Sequence, residues 1–325
     1  MAERRGRWRA AFTVLVSLVA LLGAVFDHAG AWLQAPPRPC RTRLTAKVGD
    51  KERPVVAVLG AGGRTGALVV EALLKDGIAT PRALTRSGSW SPVSPGVSAE
   101  GVEVGTADVT DASSLSAALA GASAVVFAAA YAKDKSTPED VDNAGLVNTG
   151  RAVLEQGVRR LIVVSSIAVT RWYSPVGFLL NTVGSGVLNE KLKGEEEIKQ
   201  MFAKKKSTYT IVRPGGLRDE PAVGVENIEF NQGDHLVANV ARADVAAVCA
   251  TAATAPKNPG AGKTFEMYKG ADRRGLMPWY GEKLRYCVRG DDCADMIRRL
   301  RPDDEVYDVP GMLPWQEGDW EGRYY

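Results

Sequence analysis

A glycine-spaced turn near residue 60 has the residue types and the spacing that can bind a diphosphate. Glycines stand at 60, 63 and 66, directly after the apolar run 55–59 and before an apolar-periodic stretch. A buried strand, a tight turn and a helix N-terminus in this order present backbone N–H groups to an anion, most often the pyrophosphate of a dinucleotide. Gly60 would allow the turn, Gly63 the approach of the phosphates and Gly66 the packing of helix against strand. We therefore predict dinucleotide contacts from Gly60, Gly62, Gly63, Arg64, Thr65 and Gly66, the alternative being a plain strand–helix turn.

Two arginines favour NADP(H) over NAD(H). Arg64 lies inside the turn, and Arg86 follows the second apolar run, where the adenosine ribose rests in such folds. An acidic residue at that point binds the ribose 2′-hydroxyl of NAD, whereas an arginine pairs with the 2′-phosphate of NADP. Because no acid is present there, we predict NADP (NADPH) as the cofactor, with NAD less suited. The alternative for either arginine is a solvated surface side chain.

Two aspartates follow the third apolar run, in the sequence Asp108-Val109-Thr110-Asp111. A carboxylate at this point can accept a hydrogen bond from the adenine amino group, or it can cap the next helix. We predict the adenine contact for Asp108 and the cap for Asp111.

Strand-like and helix-like patterns alternate along the chain, which predicts a parallel sheet with helices on both faces. The predicted strands cover 54–59, 81–85, 102–104, 124–130, 161–164, 209–212 and 264–267. The predicted helices cover 67–75, 113–119, 141–156, 189–202 and 243–253. A hairpin is predicted over 228–237, around the turn residues 231–234.

The charge and cysteine content argue against nucleic-acid binding and against a metal site. Net charge is +3, but residues 1–50 alone carry +5, so the rest of the chain has no basic surplus. Only two histidines are present, and the four cysteines have no metal-ligand spacing, so we predict no metal. Cys287 and Cys293 are close enough in sequence to form a disulfide, the alternative being two thiols.

The first 50 residues have the composition of a two-part targeting leader. Residues 1–31 place four arginines before an uncharged apolar run and end on Ala29-Gly30-Ala31, which is typical of a signal peptide. Residues 32–50 are basic and acid-poor, as in a transit peptide. This arrangement resembles the leaders of algae with complex plastids and predicts a mature protein in the plastid stroma. Secretion and a retained membrane anchor are the alternatives.

Several further motifs resemble the atypical short-chain dehydrogenase/reductase superfamily, in particular its NmrA-like branch of NAD(P)H-binding proteins found in chloroplasts. They are the glycine turn and the segments 84–87, 107–111, 125–130, 161–166, 209–217 and 241–246. The resemblance covers residues 53–269 and implies an α/β fold with a doubly wound, Rossmann-type parallel sheet. It also implies cofactor contacts at Ala128, Ala129 and Pro214. The aromatic and acidic residues 270–325 depart from the family and are predicted to form a substrate-covering region or a docking tail, the alternative being a poorly ordered tail.

The resemblance also implies catalytic residues, with one departure. The family places a serine after the fifth strand and a Tyr-x-x-x-Lys pair on the next helix, where the tyrosine is the general acid. Ser166 and Lys191 match the serine and the lysine, but Val187 stands where the tyrosine belongs. Tyr173 is the nearest tyrosine upstream.

Two functions follow as expectations. The first is an NADPH-dependent oxidoreductase for a small plastid metabolite such as a quinone, a flavin or a pigment-related compound, with lysine or solvent as the proton source. The second is a non-catalytic NADP-binding protein that senses redox state or assists a plastid protein complex. In either case the mature protein is expected to be soluble or peripheral at a membrane.

Overall fold

The computed structural model describes residues 53–132, 136–272, 274–275 and 287–306, all of which belong to one compact unit. The predicted leader segments 1–31 and 32–50, and much of the predicted region 270–325, lie outside the described residues. Within the described ranges, no helix combines the length and the apolar character needed to cross a bilayer.

Twelve strands are present in the described residues. They are β1 (Val55–Leu59), β2 (Thr80–Thr85), β3 (Glu103–Thr106), β4 (Ala122–Phe127), β5 (Arg160–Val164), β6 (Thr208–Pro214), β7 (Gly216–Arg218), β8 (Ile228–Asn231), β9 (Leu236–Val237), β10 (Asn239–Ala241), β11 (Lys263–Lys269) and β12 (Arg274–Gly275). Eight of them form the main sheet in the order β3-β2-β1-β4-β5-β6-β11-β8. All neighbours in this sheet are parallel except β8, which runs antiparallel to β11. The doubly wound α/β fold is therefore confirmed.

Helices cover both faces of this sheet. They are α1 (Arg64–Asp76), α2 (Ala112–Leu119), α3 (Leu146–Glu155), α4 (Pro175–Val183), α5 (Val187–Phe202), α6 (Arg242–Thr254), α7 (Cys293–Arg299) and α8 (Asp303–Val306), with a π-helical segment, Glu139–Gly145, directly before α3. Side chains of a strand alternate between the two faces. Val56 and Val58 of β1 accordingly join one core, with α1, α6 and α7. Ala57 and Leu59 join the other core, with α2, α3 and α5.

The predicted hairpin over 228–237 is wrong. β8 pairs with β11, and β9 pairs with β12 rather than with β8. The polar residues between β8 and β9 hold distant segments instead of closing a turn. The carboxylate of Asp234 accepts hydrogen bonds from the backbone N–H groups of Ala168 (2.6 Å) and Thr170 (2.9 Å). The amide group of Gln232 bonds to the backbone of Thr264 and Arg301.

Residues 287–306 complete the core on the side of α6. Backbone N–H groups and carbonyls of Val288 and Phe230 bond reciprocally, and Met296 and Ile297 of α7 are fully buried. Asp303 accepts a hydrogen bond from the backbone N–H of Thr264, at the amino end of β11. Cys287 is a thiol, so the Cys287–Cys293 disulfide is not formed. The described part of the C-terminal region therefore braces the sheet edge, and substrate covering by the remainder stays a prediction.

Candidate functional site

The glycine turn closes tightly between β1 and α1, and two of its glycines are sterically required. Gly60 has φ of +77°, a left-handed conformation, and an added Cβ would lie 2.6 Å from the backbone nitrogen of Ala129. An added Cβ at Gly66 would overlap the carbonyl oxygen of Gly60. The turn therefore brings Gly60, Gly66, Ala128 and Ala129 together at the carboxyl edge of β1 and β4.

The N-terminus of α1 is built to receive an anion. Gly63 is the N-cap and makes no side-chain capping hydrogen bond, and no acidic residue lies in the first turn. Gly62, Gly63 and Arg64 are exposed. Uncapped N–H groups and the helix dipole both favour a phosphate at such an end. These features fit a dinucleotide diphosphate.

The loop after β2 offers hydroxyl groups and a guanidinium rather than a carboxylate. The hydroxyl of Thr85 donates to the carbonyl of Ser89 (3.0 Å) and accepts from its backbone N–H (3.2 Å), and the hydroxyls of Ser87 and Ser89 lie 2.8 Å apart. Arg86 is exposed on this loop. Gly62 lies beside it, because a Cβ there would be 3.6 Å from Cγ2 of Thr85. The glycine turn and the loop that carries Arg86 are thus neighbours.

Arg64 is paired with a residue that the sequence analysis did not single out. Its guanidinium donates to Asp219 Oδ2 (2.8 Å), and the other oxygen of Asp219 accepts from Arg242 at the start of α6 (2.5 Å). Asp219 therefore links the glycine turn to α6. A cofactor phosphate that used Arg64 would compete with Asp219 for the guanidinium.

The two aspartates after β3 both organise local backbone. Asp108 Oδ1 accepts from the N–H (2.9 Å) and the hydroxyl (2.8 Å) of Thr110. Asp111 is the N-cap of α2 and accepts from the N–H of Ser113 (3.0 Å), which confirms the predicted cap. Hydrogen bonds from the side chain and backbone of Ser113 hold the pKa of Asp111 below its usual value. The adenine contact predicted for Asp108 stays a prediction.

Ser166 and Pro214 lie side by side where β5 and β6 end. Hydrogen bonds from Ser165 N to Val212 O (2.8 Å) and from Ile167 N to Pro214 O (3.1 Å) continue the strand pairing on both sides of Ser166. The half-buried Ser166 hydroxyl donates to the carbonyl of Ile167 (3.0 Å). The serine thus has a fixed backbone and a hydroxyl that can turn to another acceptor.

Lys191, near the start of α5, has a buried counter-ion. Its ammonium lies 2.7 Å from Asp142 Oδ1, and only 12% of the lysine side chain is exposed. The other oxygen of Asp142 accepts from the backbone N–H of Tyr131, which follows Ala128 and Ala129 along the chain (3.0 Å). Asp142 therefore ties Lys191 to the carboxyl end of β4. Nothing in the sequence distinguished Asp142 from the acids around it.

Val187 is part of an apolar wall. With Val176, Leu192 and Val237 it packs against a small buried cluster formed by Ala168, Val169 and Leu188. A valine cannot donate a proton, so this position contributes packing and no acid catalysis.

A buried ionic cluster lies beneath the candidate site, and the sequence analysis missed it. The carboxylate of Glu195 accepts from Ser165 Oγ (2.5 Å) and from Arg213 Nη2 (2.6 Å). Arg213 also pairs with Glu266 on β11 (3.3 Å), and all three charged side chains are fully buried. Burial and nearby Asp234 raise the pKa of Glu266 to about 8. Burial is the largest influence on Glu195 and opposes its ionisation. The Arg213 charge, the hydrogen bonds from Arg213 and Ser165 and the charge of Lys199 together outweigh burial, so the pKa of Glu195 lies below its usual value.

Three of the four members of this cluster stand close in the chain to a predicted site residue. Ser165 precedes Ser166, and Arg213 precedes Pro214. Glu195 stands four residues after Lys191 on α5, a spacing that places both on one helix face. The cluster therefore joins the three elements that carry Ser166, Lys191 and Pro214. Among the described residues, no group of side chains comes together that could hold a metal ion.

Three solved structures have a similar fold. The oxidoreductase YlbE from Lactococcus lactis has a TM-score of 0.56 and 21% identity, and the match covers 66% of this chain and 91% of that one. A putative NAD-dependent epimerase/dehydratase from Bacillus halodurans has a TM-score of 0.54 and 23% identity, covering 76% and 100%. A wide-type short-chain dehydrogenase/reductase from Veillonella parvula, solved with NADP, has a TM-score of 0.54 and 16% identity, covering 67% and 96%. At these identities the likeness shows the shared fold.

Sequence comparison identifies the family. Two uncharacterized chloroplastic proteins of Arabidopsis thaliana are similar to this chain. One is 34% identical, covering 56% of this chain and 68% of the relative, and the other is 29% identical, covering 65% and 69%. The profile of the NAD(P)H-binding family matches residues 60–256, which run from the glycine turn to just beyond α6. The chain therefore belongs to the NAD(P)H-binding family, among the NmrA-like proteins of short-chain dehydrogenase/reductase type.

Proposed function

We propose that this protein is an NADPH-dependent oxidoreductase that acts on a small plastid metabolite with a reducible carbonyl, quinone or flavin group. One observation carries the proposal. The uncapped N-terminus of α1, Arg86 directly after β2, and Ser166 all lie at one edge of the sheet, and Asp142 ties Lys191 to the same edge. Ligands of doubly wound folds bind at this carboxyl edge. The chloroplastic relatives and the predicted leader support a plastid location, and the NADP-bound similar fold is consistent with the cofactor.

The chemistry divides between the cofactor and the chain. When bound, the reduced nicotinamide supplies a hydride equivalent. Ser166 provides a hydroxyl that can bind a substrate oxygen, and its position is set by the β5–β6 pairing on both sides. The Lys191 ammonium is positioned by Asp142, whose Oδ1 lies 2.7 Å from Nζ. Val187 adds packing but no proton donor. The proton that the tyrosine would supply is thus assigned to Lys191 or to solvent.

Arg86→Ala should weaken NADPH binding by about 10- to 100-fold, because a charge-assisted hydrogen bond to phosphate contributes ~1.5–3 kcal/mol. NADH binding should stay unchanged, since NADH has no 2′-phosphate. Calorimetric titration of both coenzymes measures the difference, and the Arg64→Ala/Arg86→Ala double variant should lose more.

Arg159→Ala is the matched control for this titration. Arg159 is also an exposed arginine, but it precedes β5 and so lies at the amino edge of the sheet. Its removal should leave both affinities unchanged. The NADP preference would be rejected if the wild type bound NADPH and NADH equally tightly and the Arg64→Ala/Arg86→Ala variant did the same.

Lys191→Met should lower the rate of NADPH oxidation by about 10²- to 10⁴-fold, the usual contribution of a proton-transfer group. The assay follows NADPH absorbance with a panel of quinones, flavins and carbonyl compounds. Lys193→Met is the control, because Lys193 is exposed and pairs only on the helix surface with Glu190 (2.6 Å). Equal rates of NADPH oxidation in the two variants would show that Lys191 takes no part in the reaction.

Val187 favours a second candidate, a non-catalytic NADP-binding protein that senses redox state or assists a plastid protein complex. In that case the wild type binds NADPH with an Arg86-dependent affinity but oxidises it with no member of the panel. Co-purification with the subunits of a plastid complex, dependent on NADPH, would then identify the function.

A further inference from the structure

The segment that begins six residues after Ser166 carries a concentrated apolar surface. The described residues include seven exposed large apolar side chains, and five of them fall between residues 172 and 183. They are Trp172, Phe178, Leu179, Leu180 and Val183, with exposed fractions of 40%, 61%, 47%, 41% and 62%. We call these five side chains the α4 face. Clustering of this kind marks an interaction site more often than scattered exposure does.

Local hydrogen bonds fix both ends of α4, the helix that carries most of the α4 face. The buried Ser174 caps α4 by accepting from the N–H of Gly177 (3.1 Å), and a Cβ at Gly177 would press against the backbone of Arg171 and Trp172. At the other end, Asn181 accepts from the N–H of Leu188 (3.1 Å). Gly177 is the only residue of α4 that is buried. Val176 packs against the buried cluster of Ala168, Val169 and Leu188, whereas Phe178, Leu179, Leu180 and Val183 of this helix stay exposed.

The chain segment that carries the α4 face has no charged residue. Residues 172–189 contain no aspartate, glutamate, lysine or arginine, and the flanking charged residues are Arg171 and Glu190. Interfaces between soluble proteins have polar, charged rims around an apolar centre. An uncharged stretch of this length is complementary to hydrocarbon instead.

The area of the α4 face also distinguishes a protein partner from a bilayer surface. Five partly exposed side chains offer on the order of 500 Å², since a large side chain presents ~150–250 Å² in full. A stable protein complex buries about 800 Å² on each partner. The face is therefore too small to hold a second copy of the chain by itself. A bilayer surface needs no shape complementarity, and it accepts short helices whose Trp, Phe and Leu side chains enter the acyl boundary.

We propose that the α4 face docks on the surface of a lipid bilayer. The segment follows Ser166 by six residues and ends shortly before α5, the helix that carries Lys191. Docking would thus place the candidate site beside the membrane and give it access to a membrane-dissolved substrate such as a lipophilic quinone. This last consequence rests on the proposed function, whereas the docking itself does not.

Hydrogen–deuterium exchange of the full chain, with and without phosphatidylcholine vesicles, tests the proposal. Peptides that cover 172–183 should become protected when vesicles are added, at low and at high salt alike. The variant Phe178→Ser/Leu179→Ser/Val183→Ser should lose this protection and partition into vesicles at least tenfold more weakly. Its matched control is Val93→Ser/Val104→Ser, which removes exposed apolar side chains elsewhere (57% and 46% exposed) and should change nothing.

Three results would overturn the docking. They are protection confined to the apolar run 10–26, unchanged partitioning of the triple variant, and protection of 172–183 by self-association without vesicles. NADPH affinity of the triple variant should equal that of the wild type, which shows that the fold is intact; Phe178→Ser alone serves if the triple variant does not fold. NADPH binding and turnover with water-soluble substrates report on the proposed function separately, so failure of one proposal does not imply failure of the other.

Discussion

Gly66→Ala is expected to abolish tight NADPH binding, with a loss of at least about 100-fold, or ~2.7 kcal/mol. The new methyl group would overlap the carbonyl oxygen of Gly60, so the turn must open and the N-terminus of α1 must move away from β1. Because the clash is with backbone, relaxation is costly, and we expect about 3 kcal/mol of lost stability. Calorimetric titration with NADPH and urea unfolding measure the two effects.

Gly62→Ala is the matched control within the same turn. Its added methyl group would lie 3.6 Å from Cγ2 of Thr85, an ordinary van der Waals separation. We expect the urea midpoint of this variant to stay close to that of the wild type. If Gly66→Ala keeps both its stability and its NADPH affinity, the turn is not the diphosphate site.

Glu195→Gln is expected to destabilise the protein by about 3–5 kcal/mol, the cost of breaking a buried ion pair by removing one charge. The change leaves Arg213 buried with Glu266 as its remaining acidic partner, at 3.3 Å, and burial raises the pKa of Glu266, which weakens that partner as a counter-ion. Urea unfolding at pH 7 is the measurement. Because Ser165 loses its charged acceptor, the position of Ser166 should also become less fixed.

Glu196→Gln provides the comparison for this experiment. Glu196 is the next residue on α5, is exposed, and pairs with Lys199 at the surface (3.3 Å). Surface pairs of this kind contribute about 0–1 kcal/mol. Similar losses in Glu195→Gln and Glu196→Gln would show that the buried cluster does not hold β5, β6 and α5 together.

The features predicted correctly from the sequence alone are those that depend on neighbouring residues in the chain. One example is the first strand, the glycine turn and the first helix. These three elements are contiguous in the chain, so the order of their residues specifies the local structure. The alternation of strands and helices gave the sheet for the same reason. The predicted boundaries differ from the observed ones mainly by one to three residues, because helix and strand ends depend on tertiary contacts.

The features that were missed depend on contacts between distant residues. Arg213 and Glu195 belong to patterns that look like an ordinary strand end and a solvated helix, and only the fold places them together. Residues 231–234 have turn chemistry, but Asp234 uses its carboxylate on a loop more than 60 residues earlier. Helix α4 was not predicted, since its short apolar sequence between Pro175 and Gly184 shows no polar face.

The pairing of Lys191 with Asp142 depends on the number of residues in the π-helical segment Glu139–Gly145, and not only on which residues are present. Such a turn holds one residue more than an α-helical turn, and Asp142 lies within it. Loss of a single residue would restore α-helical winding and rotate the preceding side chains by about 100°. Asp142 would then face away from Lys191 without any change of side chain. A related protein with a one-residue deletion in this segment would need another counter-ion for the Lys191 ammonium, or would no longer have the ammonium at this position.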